Sequence, residues 1–401
     1  MAIDVRVLTA TDRPAGFGLR VDAFTAEGSA TWPEEGEIYM PDGRRVGAFD
    51  GDLMVGHAGA WDFGQWFGGR RVPMAGVAGV IVRPEARGSG IAGQMVRALL
   101  QRCLEDGDVI ACQYPTVPGL YRRLGWEAAG VAVRRTIATA ALTGLPVPDR
   151  PPVIRPLVWA DDVPAVAELW DRDAARGQGR IARSATYHLR MFEPDDGLRA
   201  WVAERDGRIV GVLQLEREPS AGEDPSIYRM FVDALVAEDH DTWLALWRLV
   251  GQHAAVSQTT RFISRPHEPL QDHLHLPAVQ ERSVIQTWMA RLLDAPAAMS
   301  GRGWPAGAEV SVVLRVGDPL LPGNDGTFLL RVAGGGTASL TRTDRTASAS
   351  IDIGALSALY TGHVRAADLA WQGRLVGASH EEIAALDTAF AAPQPWMHDH
   401  F

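Results

Sequence analysis

The sequence predicts a mixed α/β (α+β) chain: two successive α/β units of similar order, then a third, smaller α/β unit. Three observations carry this. Residues 77–107 read as strand, glycine-rich loop and helix. The order hairpin, strand, helix occurs once in residues 1–148 and again in 149–289. From Val310 onward, short strands with glycine turns are followed by helices. The chain has 401 residues, 46% of them hydrophobic, enough for two or three cores. The expected divisions are 1–148, 149–289 and 290–401.

Taken in order, residues 3–8 alternate as a strand and helical segments follow through Ala30. Arg45–Asp50 and Leu53–Trp61 pair around Asp50-Gly51-Asp52, since Asp-Gly is a strong hairpin signal. Trp61, Phe63, Trp66 and Phe67, set among glycines, read as core or interface rather than a substrate wall. Val77–Val82 is a short valine-rich strand ended by Pro84, which cannot donate to a ladder. Arg87-Gly88-Ser89-Gly90 is a loop of small residues. Ile91, Met95, Leu99 and Cys103 then recur at helical spacing, and Gly107 stands where a helix ends. A bare loop at a helix N-terminus offers backbone N–H groups and the positive end of the dipole to an anion such as phosphate.

Gly88 to Gly93 matches G-x-G-x-x-G literally, yet five residues separate it from the strand, and Val109–Gln113 ends without the acid that binds a ribose. A P-loop is excluded because no Gly-Lys-Ser/Thr follows; the chain has no lysine. Beyond Val109–Gln113 lie Tyr114-Pro115-Thr116-Val117, a short helix carrying Tyr121, and Leu124-Gly125-Trp126. By itself Tyr121 reads as a core tyrosine.

Residues 141–152 hold Pro146, Pro148, Pro151 and Pro152, a linker composition. Val153–Leu157 restarts the pattern. Ala200–Glu204 and Arg208–Glu216 form a hairpin around Asp206-Gly207, a strand runs over Tyr228–Val236, and a helix over Trp243–Ala255. The loop of this copy, Ala237 to Asp241, is acidic and lacks glycine. Its carboxylates satisfy the helix start themselves and repel phosphate. His267, His273 and His275 have metal-ligand chemistry but no fourth partner at suitable spacing, so a polar loop is expected there. The third unit is read as antiparallel strands at Val310–Val316, Thr327–Val332, Thr337–Thr341 and Ser348–Ile353. Helices follow at Gly354–Tyr360 and Ala366–Leu369, and a last helix opens on the Ser379–Glu382 capping box and ends at Phe390. Pro393 and Pro395 stop it. Trp396 and Phe401 make the tail apolar enough to dock, and His398-Asp399-His400 reads as a polar turn, with no metal expected.

Net charge is −10 with dispersed arginines, which argues against nucleic-acid binding. No apolar run reaches a membrane span and the N-terminus has no signal-peptide pattern, so a cytoplasmic protein is expected. Cys103 and Cys112 read as packing thiols.

Arg87 to Ala92 also reads Arg-x-x-Gly-x-Ala, which resembles the coenzyme A signature of the GNAT N-acetyltransferases. There it follows an apolar strand with an Arg-Pro-like exit, as Arg83-Pro84 does here. The resemblance implies acetyl-CoA as cosubstrate. It implies that Arg87 and the amides of Gly88, Ser89, Gly90, Ile91, Ala92 and Gly93 hold the pyrophosphate. The strand edge at Val80, Ile81 and Val82 is implied to pair with pantetheine and polarise the thioester carbonyl, and Thr116 and Val117 join the cofactor set.

Two GNAT-like units followed by a unit similar to sterol carrier proteins resemble the plan of the Eis acetyltransferase family. The most specific stretches are Ala75–Gly90, Gly119–Trp126 and Leu386–Ala391 with an aromatic C-terminus. The family plan implies direct acetyl transfer, in a ternary complex, to an amine of aminoglycoside-like, polyamine-like or lysine type. It implies Tyr121 as general acid, the α-carboxylate of Phe401 as general base, and a homohexamer. The chemistry agrees: an ammonium must lose a proton before it attacks, and a thiolate leaving group needs a donor. The chain departs from relatives at Ala26 and Glu27, at Tyr114 and at His400, positions that bear on the acceptor. An alternative is a lipid carrier or scaffold with a vestigial transferase; the glycine loop at 87–92, intact beside its ruined second copy, speaks for the enzyme.

Overall fold

The computed structural model describes residues 3–24, 40–41, 43–194, 197–219, 227–274 and 284–401. Thr25, Ala26, Glu27, the expected helix end at Ala30 and His275 lie outside them. The chain divides into two compact units. Unit 1 comprises 1–130, 287–395 and 399–401, and unit 2 comprises 131–286 and 396–398.

In unit 1 the strands β1 (Ile3–Val7), β2 (Arg45–Asp50), β3 (Leu53–Phe67), β4 (Arg70–Val82) and β5 (Ile110–Gln113) lie side by side in that order. The expected hairpin at Asp50-Gly51-Asp52 forms. The strand expected to end at Trp61 runs on: the aromatic stretch is the second half of β3, which turns through Gly68-Gly69 into a β4 longer than expected. Helix α1 (Arg13–Phe24) links β1 to β2. Helix α2 (Ile91–Glu105) follows β4 and buries Ile91, Met95, Val96, Leu99, Leu100 and Cys103 against Val46, Val55, Ala58 and Val77. The 3.6-residue spacing of those apolar positions is why this segment is helical and why one face docks on the sheet. Helix α3 (Pro118–Arg123) starts on a proline, which costs nothing at the first helical position.

The chain leaves unit 1 within β6 (Glu127–Ala138). A short 3₁₀ stretch, Thr139–Gly144, opens the proline-rich segment. Unit 2 contains β7 (Val153–Pro156), α4 (Trp159–Ala174), β8 (Arg180–Ala182), α5 (Ala185–Met191), β9 (Leu198–Arg205), β10 (Arg208–Pro219), β11 (Tyr228–Ala237), α6 (His240–Gly251), β12 (Thr259–Ser264) and α7 (Leu270–His273). Its sheet order is β6-β12-β11-β10-β9-β7. Leu213, Leu215, Met230, Leu246, Val250 and Phe262 form its core.

The chain returns through β13 (Val284–Leu292), whose second half pairs antiparallel with β5 at Met289↔Gln113 through Leu292↔Ile110. After α8 (Ala295–Gly301) come β14 (Val310–Gly317), β15 (Gly326–Ala333), β16 (Thr337–Arg342), β17 (Ala349–Asp352), α9 (Ile353–Thr361), α10 (Ala366–Trp371), β18 (Leu375–Val376) and α11 (His380–Ala389). The sheet order is β16-β15-β14-β17-β18. The expectation of wholly antiparallel strands is corrected here: β17 runs parallel to β14. Two hairpins bring β16 back to the direction of β14, and Thr343–Ser348 carries the chain past the sheet to the far side of β14 without reversing it. The Ser379–Glu382 capping box forms as expected.

Within unit 1 the third segment is tied to the first through buried charge. Arg291 on β13 and Asp318 after β14 are fully buried and bonded at 2.8 and 2.9 Å, and Asn324 donates to the same carboxylate at 3.0 Å. Gly125 must be glycine here. Its φ is +87°, and a Cβ would lie 1.8 Å from the Arg291 guanidinium. Glu127 bonds both Arg122 at 3.0 Å and Arg374 at 2.7 Å. A buried pair broken on one side leaves an uncompensated charge. Asp318→Ala is therefore expected to cost about 3–5 kcal/mol, whereas replacing both partners together by Met and Leu costs much less. Urea unfolding of the three proteins checks this.

Candidate active site

A cavity of about 590 Å³ opens in unit 1 where β4 and β5 separate. The two strands run parallel through Met74↔Ile110, Ala75↔Ala111 and Gly76↔Cys112, and their register ends there although β4 continues to Val82. Opposite Ala58, β4 carries one residue too many: His57 pairs with Ile81 but Gly59 with Ala78. This β-bulge falls at Gly79, whose φ of +61° suits the one residue without a Cβ. A bulge bends its strand and interrupts the ladder, so the edge over Val80–Val82 faces the cavity unpaired by β5.

The imidazole of His57 holds the bulge. It is 3% exposed, and its Nδ1 lies 3.0 Å from the Gly79 carbonyl oxygen. Burial, with Arg20 and Arg45 nearby, pushes its pKa down to about 4. The ring is therefore neutral at pH 7, with Nδ1–H donating to Gly79.

Of the residues expected to bind the cofactor, the structure brings Val80, Ile81, Val82, Arg87, Ala92, Thr116 and Val117 to this cavity, together with Tyr121 and Phe401. Gly88, Ser89, Gly90, Ile91 and Gly93 do not line it; they form the loop and first turn of α2 beside it. Ile91 is buried in the core, so only its backbone is available. Arg87 Nε donates to the Val82 carbonyl at 3.1 Å and Ser89 Oγ to that of Ala86 at 2.6 Å, so side chains brace the loop. No side chain caps α2, whose N-cap is Gly90 in the left-handed region. By contrast Asp239, Asp294, Asp352 and Ser379 each accept an N–H at the start of α6, α8, α9 and α11. The first N–H groups of α2 thus have no side-chain acceptor, as is also the case at α3, α4 and α10.

Tyr121 on α3 is 7% exposed, packs edge-on against Trp126 at 5.7 Å, and has its hydroxyl pKa pushed up to about 12 by burial. It stays protonated through the neutral range. The Phe401 ring lies edge-on to Phe63 at 5.5 Å and to Tyr114 at 6.1 Å, and His400 stacks on Tyr114 at 4.7 Å. A Cβ on Gly76 would come within 3.0 Å of the Phe401 ring. Sequence reasoning missed His57, Phe63, the stacking role of Tyr114 and the bulge. The Ala75-Gly76-Val77-Ala78-Gly79 run signals close backbone approach, but only the register tells which glycine bulges.

The remaining candidates lie elsewhere. His267 Nε2 is 3.1 Å from Asp272, and His273 stacks on His240 with Nε2 atoms 3.2 Å apart. Among the described residues no group of three or more His, Cys, Asp or Glu is placed to hold one ion. Cys103 and Cys112 are free and buried, and burial pushes both thiols up, Cys103 to about 12. No helix among the described residues is long and apolar enough to cross a membrane.

Acetyltransferase (GNAT) domain families match residues 4–129 and 176–292, and a sterol carrier protein domain family matches 295–398. N-acetyltransferase Eis of Mycobacterium tuberculosis is 28% identical over 422 residues, covering 96% of each chain. The crystal structure of a GCN5-related N-acetyltransferase from Kribbella flavida is 31% identical, with a TM-score of 0.85 over 100% of this chain and 98% of that one. The chain belongs to the Eis family of GCN5-related N-acetyltransferases. The crystal structure of Eis1 from Mycobacterium abscessus, 25% identical, superposes with a TM-score of 0.78 over the whole of both chains. This Eis-family chain is accordingly an N-acetyltransferase with two GNAT domains followed by a sterol-carrier-like domain.

His57 sets a pH dependence. Its folded pKa is below its unfolded value of about 6.5, so the unfolded chain binds the extra proton between those values. The stability from the neutral ring is complete above pH 6.5 and lost as pH falls toward 4, by up to about 3 kcal/mol. His57→Asn keeps a donor for Gly79 and cannot titrate; denaturant unfolding from pH 7 to 4 is expected to show a shallower slope than the parent.

Proposed function

We propose that the chain transfers an acetyl group from acetyl-CoA directly to an amine bound in the same unit-1 cavity. The observation that carries the reading is one opening with an unpaired β4 edge and a buried, protonated Tyr121, beside an uncapped α2 N-terminus. Backbone N–H groups from Gly88 to Gly93 would hold the pyrophosphate, as helix starts hold phosphate elsewhere. The Val80–Val82 edge would pair with the amide-bearing arm by strand addition, with Thr116 and Val117 on its other side. When bound, the cosubstrate supplies an acetyl thioester.

The chain's own residues divide the proton work. Tyr121, kept protonated by burial, donates to the departing sulfur. A free carboxylate on Phe401, held against Phe63 and Tyr114, accepts the proton the ammonium must lose. Among the described residues lining the cavity there is no Asp or Glu. Val77, Leu120, Tyr114 and Phe401 favour an amine carried on an apolar or aromatic body over a polycation. At about 590 Å³ the cavity is in the ~300–1,000 Å³ range of ligand pockets. A cytoplasmic homohexamer is part of this reading by resemblance to the family plan. Thiol release from acetyl-CoA, measured across a panel of aryl-alkyl monoamines, polyamines, aminoglycosides and lysine peptides, tests it; release with none of them would overturn it.

Tyr121→Phe is expected to keep acetyl-CoA affinity and lower turnover by ~10²–10⁴-fold, the size of a lost general acid. Calorimetry beside steady-state kinetics checks this.

Deleting Phe401, or extending the chain past it, is expected to suppress turnover without changing the melting temperature. Deletion moves the carboxylate back by up to ~3.3–3.6 Å, and a misplacement of ~1 Å can cost ~10²-fold. Full activity in both forms would return Phe401 to a packing role.

A further inference from the structure

The second unit repeats the parting of strands. β11 and β12 run parallel through Met230↔Thr260, Phe231↔Arg261 and Val232↔Phe262, and no further, although β11 continues to Ala237. The opening contains its own cavity of about 180 Å³. It is unsuited to a nucleotide. Asp239 accepts the Thr242 N–H at 2.9 Å and so fills the start of α6, and Asp241 adds charge of the wrong sign.

The charges that remain around this cavity are specific. Asp173 and Arg180 neutralise each other at 3.0 Å, and the Arg180 guanidinium lies 4.4 Å from the centre of the Trp396 ring. Glu268 is 7% exposed and accepts the Leu270 N–H; among the described residues no cation is in salt-bridge contact with it, and burial outweighs the nearby charges of Arg265, Arg135 and His267 to raise its carboxyl to about 7. A buried carboxyl in this condition is stabilised by an incoming cation. Arg176 and Arg265 are exposed and also border the cavity. Between the buried acid and the exposed guanidinium groups the wall is apolar: Trp247 and Phe262 meet edge-on at 5.0 Å.

We propose that this cavity binds a small α-amino acid as its zwitterion. The ammonium sits on Glu268, the carboxylate on Arg265 and Arg176, and an aliphatic side chain on Trp247 and Phe262. The volume suits a small ligand: about 180 Å³ is below the ~300–1,000 Å³ of most small-molecule sites.

Calorimetry on the full chain with valine and leucine, valinamide and N-acetylvaline as probes tests this. Saturable one-to-one binding of valine or leucine is expected. Valinamide, which lacks the carboxylate, and N-acetylvaline, which lacks the ammonium, should bind about tenfold or more weakly. Glu268→Gln preserves shape and the Leu270 contact, and should weaken valine about tenfold while leaving acetyl transfer unchanged. Arg265→Ala, at an exposed position, should weaken valine but not valinamide. Absence of saturable binding by any amino acid, equal affinity for valine and valinamide, or unaltered valine affinity in folded Glu268→Gln would each overturn the assignment.

Discussion

Two parallel strands that pair for three residues and then separate are the constraint on which unit 1 depends. Backbone N–H and C=O groups inside a sheet are costly to leave unpaired, so a strand edge opened in mid-sheet needs water or a ligand as its partner. The separation of β4 from β5 creates such an edge, and the bulge at Gly79, held by His57, fixes its direction. Unit 2 has the same parting of β11 from β12 but resolves it differently. Aromatic rings and charged side chains occupy its walls, and acidic residues close the helix start that α2 leaves bare. One backbone plan thus yields two chemically opposite openings, decided by a few side chains at the loop after the central strand.

The separation is stable because the chain beyond β5 is anchored by residues distant in sequence. β13 pairs with β5 on the side away from β4. Arg291 on that strand is locked to Asp318 and lies against Gly125, the residue that turns the chain out of the Tyr121 helix. Glu127 adds a link to Arg374. The position of Tyr121 is therefore set as much by the sterol-carrier-like domain as by the GNAT domain that contains it. A buried ion pair adds little net stability, but it specifies one register of packing, which suits a site that must hold its groups in place.

Much of this was legible in residues 77–126, where glycines and prolines punctuate strongly patterned segments. The loop at 87–90, the helix from Ile91 and the short helix carrying Tyr121 could be read directly, as could the acid-filled second loop at 237–241. The features that escaped depend on partners distant in sequence. Nothing local in the segment around Trp288 says that it pairs with the strand at Ile110. The bulge follows from a register between β3 and β4, and His57 from a hydrogen bond across it. The direction of β17 followed from a crossover of six residues that composition alone does not orient. Helix α4 carries Pro164 in its interior, where proline removes a helix hydrogen bond, so local pattern alone does not mark the helix.

Unit 1 is assembled from three stretches of chain separated by the whole of unit 2. During synthesis, β5 leaves the ribosome with one edge unsatisfied. Its partner β13 emerges on the order of 170 residues later, about ten to thirty seconds at ~5–20 residues per second. Throughout that interval the N-terminal half carries an exposed strand edge, the kind of surface that invites wrong pairing and chaperone capture. The Phe401 ring, which packs on Phe63 and Tyr114 beside the cavity, is made later still.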